Sequence, residues 1–153
     1  MTDAKRIPIS VVLEVRDGCL CFAAQKAARL LARRFDKVFA ALGITNGQFS
    51  MMVALGGMGQ PRLGALAEFL AMDQTTLTAA VKALEARGLL TRKVDKDDLR
   101  ARRVELTPEG TEVVEKAVPL WRAEIAGIRE SMGPGRAGEL MSLLHLPGLT
   151  RRL

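Results

Sequence analysis

Residues 63–107 read LGALAEFLAMDQTTLTAAVKALEARGLLTRKVDKDDLRARRVELT, and this stretch decides the fold. Leu63, Leu66, Ala67 and Leu70 recur at i, i+3, i+4 and i+7, the spacing of one face of a short helix. Asp73 stands where an N-cap belongs, able to accept the free N–H groups of a second helix and to favour the positive end of its dipole. Met72 and Leu77 bracket that cap as a hydrophobic staple. Along the second helix Leu77, Val81 and Leu84 face inward, and Thr75, Thr78, Ala79 and Lys82 share the outward face. Gly88 sits at the C-terminal cap, with Leu89 placed to fold back over the helix end.

After the second helix, Leu89–Val94 and Arg102–Leu106 read as two strands around a charged tip. From Lys82 to Arg103 there are eight Lys or Arg against four Asp or Glu. Two helices joined by a tight turn are common in helical proteins of many functions. A basic ribbon directly after a small, polar helix face is a narrower pattern. It suits major-groove entry by the helix and phosphate or minor-groove contact by the ribbon. The expectation is a winged helix-turn-helix in a mainly α chain with a small β-hairpin wing.

The flanks extend that plan. Residues 1–17 form a lead segment without a clear element. Cys19–Leu42 reads as a long helix, with Leu20, Ala24, Ala27, Leu31, Phe35, Val38 and Leu42 at helical spacing and Lys26, Arg29, Arg33 and Lys37 along another stripe. Thr45 begins the next helix with Gln48 at the capping-box position and Ile44 against Phe49 as a staple. Gly56, Gly57, Gly59 and Pro61 are expected to end it in a loop. Thr107-Pro108 opens a long helix, Thr as N-cap and Pro at the first position. Val114, Val118, Trp121, Ile125, Ile128 and Met132 alternate steps of four and three, a seam that wants a partner helix. Pro119 should bend or interrupt it, Gly133-Pro134-Gly135 breaks it, and a short helix follows near Ala137–Leu146.

Composition bounds the rest. The chain has 153 residues, 48% hydrophobic, with a formal net charge of +6, enough for one core and favourable to polyanions. No run approaches a membrane span, and the apolar stretch Ile9–Val15 is short and interrupted by Glu14, so a membrane role and a secretory leader are not expected. A cytoplasmic location is expected, in which the two cysteines read as reduced, buried thiols. With one His, no Tyr, no metal-ligand cluster and no phosphate loop, a general acid–base pair cannot be assembled with any specificity, so no catalytic residue, metal or cofactor is assigned.

The chain resembles the MarR family (multiple antibiotic resistance regulator) of bacterial transcription factors. The resemblance is carried by CLCFAAQKAARLLARRFD at 19–36, LGITNGQFSMMVAL at 42–55, LAEFLAMDQTTLTAAVKALEARGLL at 66–90, DKDDLRARRVELTPEG at 95–110 and AVPLW at 117–121. It implies a single MarR-type domain over 1–153, with the DNA-binding part at about 45–107 and dimerisation parts at about 10–42 and 108–153. It also implies a homodimer on a palindromic operator, more often a repressor, with DNA binding weakened by a small molecule or oxidant. By resemblance and by face, the expected DNA contacts are Gln74, Thr75, Thr76, Thr78 and Lys82 from the second helix and Arg100, then Arg102, from the wing. Asp98-Leu99-Arg100 is similar to the family's Asp-x-Arg motif, in which the carboxylate positions the wing Arg. Arg92, Lys93 and Lys96 are phosphate candidates. Because the recognition helix carries few basic side chains, shape readout through the wing gains weight.

Two further expectations come from the same resemblance. Family pockets lie between the dimerisation helices and the winged helix, which points to Phe22, Gln25, Arg29, Phe49 and Met52 and to an aromatic acid or acyl anion as effector. Each apolar member also reads as plain core. Leu20-Cys21-Phe22 is similar to the sensing segment of organic-hydroperoxide regulators, which makes Cys21 a redox candidate. Those sensors use tyrosines around the thiol, and this chain has none. With both cysteines on one helix, Cys19 and Cys21 would point about 200° apart, against an internal disulfide. A winged helix used only for protein interaction is the remaining alternative, and Arg100, Arg102 and Arg103 at the wing count against it.

Overall fold

Caps and apolar spacing build seven α-helices and one antiparallel hairpin in the computed structural model, which describes residues 6–145. In order these are α1 (Ile9–Gly18), α2 (Leu20–Phe39) running into a 3₁₀ turn at Ala40–Leu42, α3 (Asn46–Met58), α4 (Leu63–Phe69) and α5 (Gln74–Ala86). Then come β1 (Leu90–Val94), β2 (Arg102–Leu106), α6 (Pro108–Met132) and α7 (Arg136–Leu144). The lead segment therefore contains a helix the sequence did not reveal. The last helix ends at Leu144, and Leu146 lies outside the described residues.

The local signals decide the starts. Thr45 and Gln48 form a reciprocal capping box on α3. Asp73 caps α5 and Thr107 caps α6, each accepting an amide N–H three residues on. At the far end of α5 the Gly88 N–H reaches Glu85 O at 2.9 Å and the Leu89 N–H reaches Leu84 O at 3.0 Å, a Schellman ending with Gly88 at φ +72°. Gly56 and Gly57 do not end α3; the helix continues to Met58 and its cap is Gly59 at φ +76°. Two interior glycines cost about 1 kcal/mol each in propensity. Packing of α3 on β2, where Gly56 lies opposite Leu106, offsets that cost.

β1 and β2 pair in register from Leu90↔Leu106 to Val94↔Arg102. The segment before α4 adds a short edge to this ribbon. Arg62 bridges Arg103, and the Val104 N–H donates to Pro61 O at 3.1 Å. The core gathers Phe35 and Phe39 of α2, Phe49, Met52 and Leu55 of α3, Leu66 of α4, Leu77, Val81 and Leu84 of α5, Leu90, Val104 and Ala117. Phe39 contacts both Phe35 and Phe49, with ring centroids 5.9 and 4.6 Å apart. The seam of α6 packs partly buried against this core. Pro119 does not interrupt α6, which runs unbroken to Met132.

Two apolar faces stay uncovered in the single chain. One combines Ile7, Val11, Val12 and Val15 at α1 with Phe22 of α2; the other is Leu140, Met141, Leu143 and Leu144 of α7. No single helix among the described residues is long and apolar enough to cross a membrane.

Candidate nucleic-acid interface

Helix α5 presents the face that the spacing anticipated. Leu77, Val81 and Leu84 are buried, while Gln74, Thr75, Ala79 and Lys82 are exposed and Thr78 is half-buried. Two of the hydroxyls are already engaged. Thr76 donates to Asp73 Oδ2 at 2.5 Å and Thr78 donates to Gln74 O at 2.6 Å. These threonines therefore offer a methyl group and a lone pair outward, not a free O–H. The Thr76 hydroxyl and amide together hold the Asp73 carboxyl below the usual carboxylate range.

The hairpin packs beside this helix and is tied to it by an ion pair of Arg92 with Glu85 at 2.5 Å. The pairing lowers the Glu85 pKa and raises that of Arg92. Lys93 pairs with Glu105 across the ribbon. Arg92 and Lys93, expected to face phosphate, are thus partly neutralised within the chain. Arg102 donates to the carbonyls of Leu99 and Ala101 at the wing tip. Among the described residues, Lys82, Lys96 and Arg100 have no acid within ion-pair reach of their side chains. Asp98 Oδ1 accepts the Arg100 N–H at 3.0 Å, so the carboxylate of the Asp-x-Arg motif holds the arginine through its backbone.

Asp95 is the residue that sequence reasoning missed. It sits at the end of β1 with no exposed surface. Arg62 reaches it with Nε at 2.8 Å and Nη2 at 3.2 Å, Arg103 Nε lies 2.7 Å away, and the amides of Asp97 and Asp98 donate to Oδ1 at 2.8 and 3.1 Å. The Arg62 guanidinium first, then the Asp97 amide and the Arg103 charge, hold its carboxyl far below the usual range, against the opposite push of burial. A second unforeseen arginine contact lies at the other end of α5. Arg87 donates to Gly43 O at 2.6 Å and so ties α5 to the turn after α2.

This geometry has known counterparts. The family model described as MarR family matches residues 44–101. The organic hydroperoxide resistance transcriptional regulator of Bacillus subtilis is 30% identical over 114 residues, covering 74% of this chain and 77% of that protein. The chain belongs to the MarR family. Among solved structures, the transcriptional regulator MosR of M. tuberculosis in complex with DNA matches with a TM-score of 0.76 and 31% identity, over 88% of this chain and 99% of that one. Bordetella bronchiseptica BpsR, whose DNA binding is regulated by 6-hydroxynicotinic acid, matches with a TM-score of 0.75 and 26% identity, over 83% and 91%.

In this MarR-family chain the five residues named for an effector do not share one cavity. Met52 is fully buried, in the core; Phe22 faces α1; Gln25 and Arg29 lie exposed along α2, Arg29 donating to Gln25 Oε1 at 2.9 Å. Only Phe49 lines the largest cavity described, about 680 Å³ between α3, α4 and α6, with Val53, Phe69, Val118, Trp121 and Arg122 among its walls. The cysteines also depart from expectation. Cys19 is not on the helix with Cys21. It is the extended N-cap of α2, its Sγ accepting the Phe22 N–H at 3.4 Å, so the argument from a 200° helical offset does not apply. Cys21 is exposed and accepts from Gln25 Nε2 at 3.1 Å.

Proposed function

We infer that this chain is a homodimeric, sequence-specific DNA-binding regulator of transcription, acting in the cytoplasm as a repressor that a small effector releases from a palindromic operator. The observation that carries the reading is the pairing of an exposed, small and polar α5 face with a hairpin whose tip presents Arg100 and Lys96. A helix with such a face enters the major groove closely, and the adjacent arginine suits the minor groove. Gln74 pairs with adenine, Thr75, Thr76 and Thr78 contact thymine methyls or phosphate, and Lys82, Lys96, Arg102, Arg92 and Lys93 supply positive charge. The uncovered apolar faces of α1, the start of α2 and α7 support dimerisation through the terminal helices. The reading assigns no catalytic residue.

The effector reading moves to the cavity between α3, α4 and α6. Phe49, Phe69 and Trp121 beside the single cation Arg122 suit an aromatic or acyl carboxylate, and the regulation of BpsR by an aromatic acid supports that class. Trp121 is the chain's one tryptophan, so intrinsic fluorescence reports on this cavity directly.

The deciding experiment is fluorescence anisotropy on the duplex upstream of the chain's own coding region, against a scrambled duplex, at two salt concentrations. Saturable binding that prefers the upstream duplex by orders of magnitude is expected. Equal, steeply salt-dependent binding to both duplexes overturns sequence-specific recognition of that duplex. Absence of binding to either overturns the DNA-reading function.

A further inference from the structure

Of the arginines around the wing, two point inward. Arg62, at the start of α4, and Arg103, in β2, converge on one buried carboxylate from positions distant in sequence. We propose that Asp95 is the positioning residue that sets the pose of the wing against the recognition helix, and that Arg62 and Arg103 serve this lock and not the DNA phosphates. The proposal rests on the DNA-reading function above and adds the part of the machinery that aims it.

The geometry argues for a lock. Oδ1 of Asp95 accepts from Arg62 Nη2 and from the amides of Asp97 and Asp98; Oδ2 accepts from Arg62 Nε and forms an ion pair with Arg103, whose Nε lies 2.7 Å away. A carboxylate offers about four lone-pair sites, and the four hydrogen bonds from Arg62, Asp97 and Asp98 match that number, with the Arg103 charge added beside them. The donors come from three places: the entry to α4, the returning strand and the wing tip itself. Their relative placement is thereby fixed by one group. Arg103 adds a second stitch, donating from Nη1 to Gln60 O at 2.9 Å. The tip is then held in sequence. Asp95 fixes the Asp98 amide, and Asp98 accepts the Arg100 amide, so the direction of Arg100 follows from the buried carboxylate. Buried ionic clusters of this kind contribute little net stability against an apolar substitute, and a role in fixing one geometry is the better account of why an acid is kept buried beneath a surface meant for polyanions.

Charge and positioning predict opposite signs, which makes the test sharp. By electrostatics alone, removing an acid beside the DNA tightens binding to any duplex. If Asp95 aims the wing, its removal weakens binding to the preferred sequence. The probe is the tightest duplex that the wild-type dimer selects from a random-sequence pool, with its scrambled version as control. Anisotropy is read across a salt series, with the active fraction fixed by stoichiometric titration so that loss of folded protein does not imitate loss of affinity. Asp95→Asn and Arg62→Gln are each expected to lose about tenfold or more on the selected duplex, with no loss on the scrambled one. Arg62→Gln is expected to leave the slope of log affinity against log salt at its wild-type value. Asp95→Asn binding the selected duplex as tightly as wild type, or more tightly, overturns the proposal. So does Arg62→Gln weakening both duplexes alike with a slope reduced by about one, the signature of a lost phosphate contact. Should Asp95→Asn not fold, Arg62→Gln decides alone. A wild-type dimer that selects no sequence overturns the DNA-reading function as well, whereas wild-type selectivity with unchanged variants overturns only the lock.

Discussion

Replacing Thr107 by Ala tests the joint between the DNA-reading part and α6. Its hydroxyl works in two directions. It accepts the Gly110 N–H at 3.0 Å as the N-cap of α6, and it donates to Gly88 O at 2.7 Å in the turn that ends α5. Losing an N-cap oxygen costs about 1 kcal/mol. Losing the second hydrogen bond costs about 1 kcal/mol more. The sum, about 2 kcal/mol, corresponds to a fall in Tm of roughly 4–8 °C for a chain of this size. Urea unfolding followed by circular dichroism, at one fixed protomer concentration because a dimer's apparent stability depends on it, reads the value directly. Thr107→Ser keeps the oxygen and both bonds and is expected to stay within about 0.5 kcal/mol of wild type. An Ala variant as stable as wild type refutes the assignment. A Ser variant as damaged as the Ala variant shows that the methyl group, not the hydroxyl, carries the effect.

Arg100→Ala is expected to weaken binding to the selected duplex by about 1–3 kcal/mol with the dimer intact by analytical ultracentrifugation; unchanged affinity at matched salt removes Arg100 from the interface. Gly110→Ala, a substitution that helix propensity alone scores as a gain, is expected to destabilise by about 3 kcal/mol or more, because a Cβ there would lie 2.1 Å from Leu89 O; a stabilised variant in urea refutes this. Asp95 has a lowered folded-state pKa, so its ionised form contributes stability that is whole above about pH 5 and is lost as pH falls through about 4 and below. The Tm gap between wild type and Asp95→Asn is therefore expected to be constant from pH 5 to 8 and to shrink on acidification, and a gap that widens below pH 4 contradicts the lock. Arg122→Ala is expected to abolish the Trp121 fluorescence response to aromatic carboxylates while leaving DNA affinity unchanged, and a retained response places the effector elsewhere.

The caps were legible because their partners are near in sequence. Asp73 and Thr76, Thr45 and Gln48, and Thr107 and Gly110 are each three residues apart, so a side-chain type and a spacing suffice. The hairpin was legible as two short strands around a charged tip, though its first strand starts one residue later than expected, because Leu89 closes the helix end instead. What escaped depends on burial and distance. Arg62 and Asp95 are separated by 33 positions, and nothing in either residue type says that this acid is buried or that Arg103 turns inward. Gly56 reads as a breaker because the strand it packs against comes about fifty residues later, at Leu106. The cavity escaped for the same reason. Its walls come from three helices, and only Phe49 was named by resemblance. Cys19 was misread by one position, which moved it from the helix to its extended cap.

Pro119 has a mechanical consequence. It has no N–H to offer the Glu115 carbonyl, so α6 lacks one rung, and a helix flexes most cheaply where a rung is missing. That point lies next to Val118 and near Trp121 and Arg122, in the wall of the cavity. Pro108 and Pro119 are eleven residues apart, which makes the stretch of α6 nearest the wing an arm of about 16 Å. A tilt of about 10° at the end of such an arm displaces the head by about 3 Å, close to the 3.4 Å advance of one base step along a strand. In a dimer the two heads would move in opposite senses. A small rotation about Pro119 is then enough to carry a matched pair of readers out of step with their half-sites.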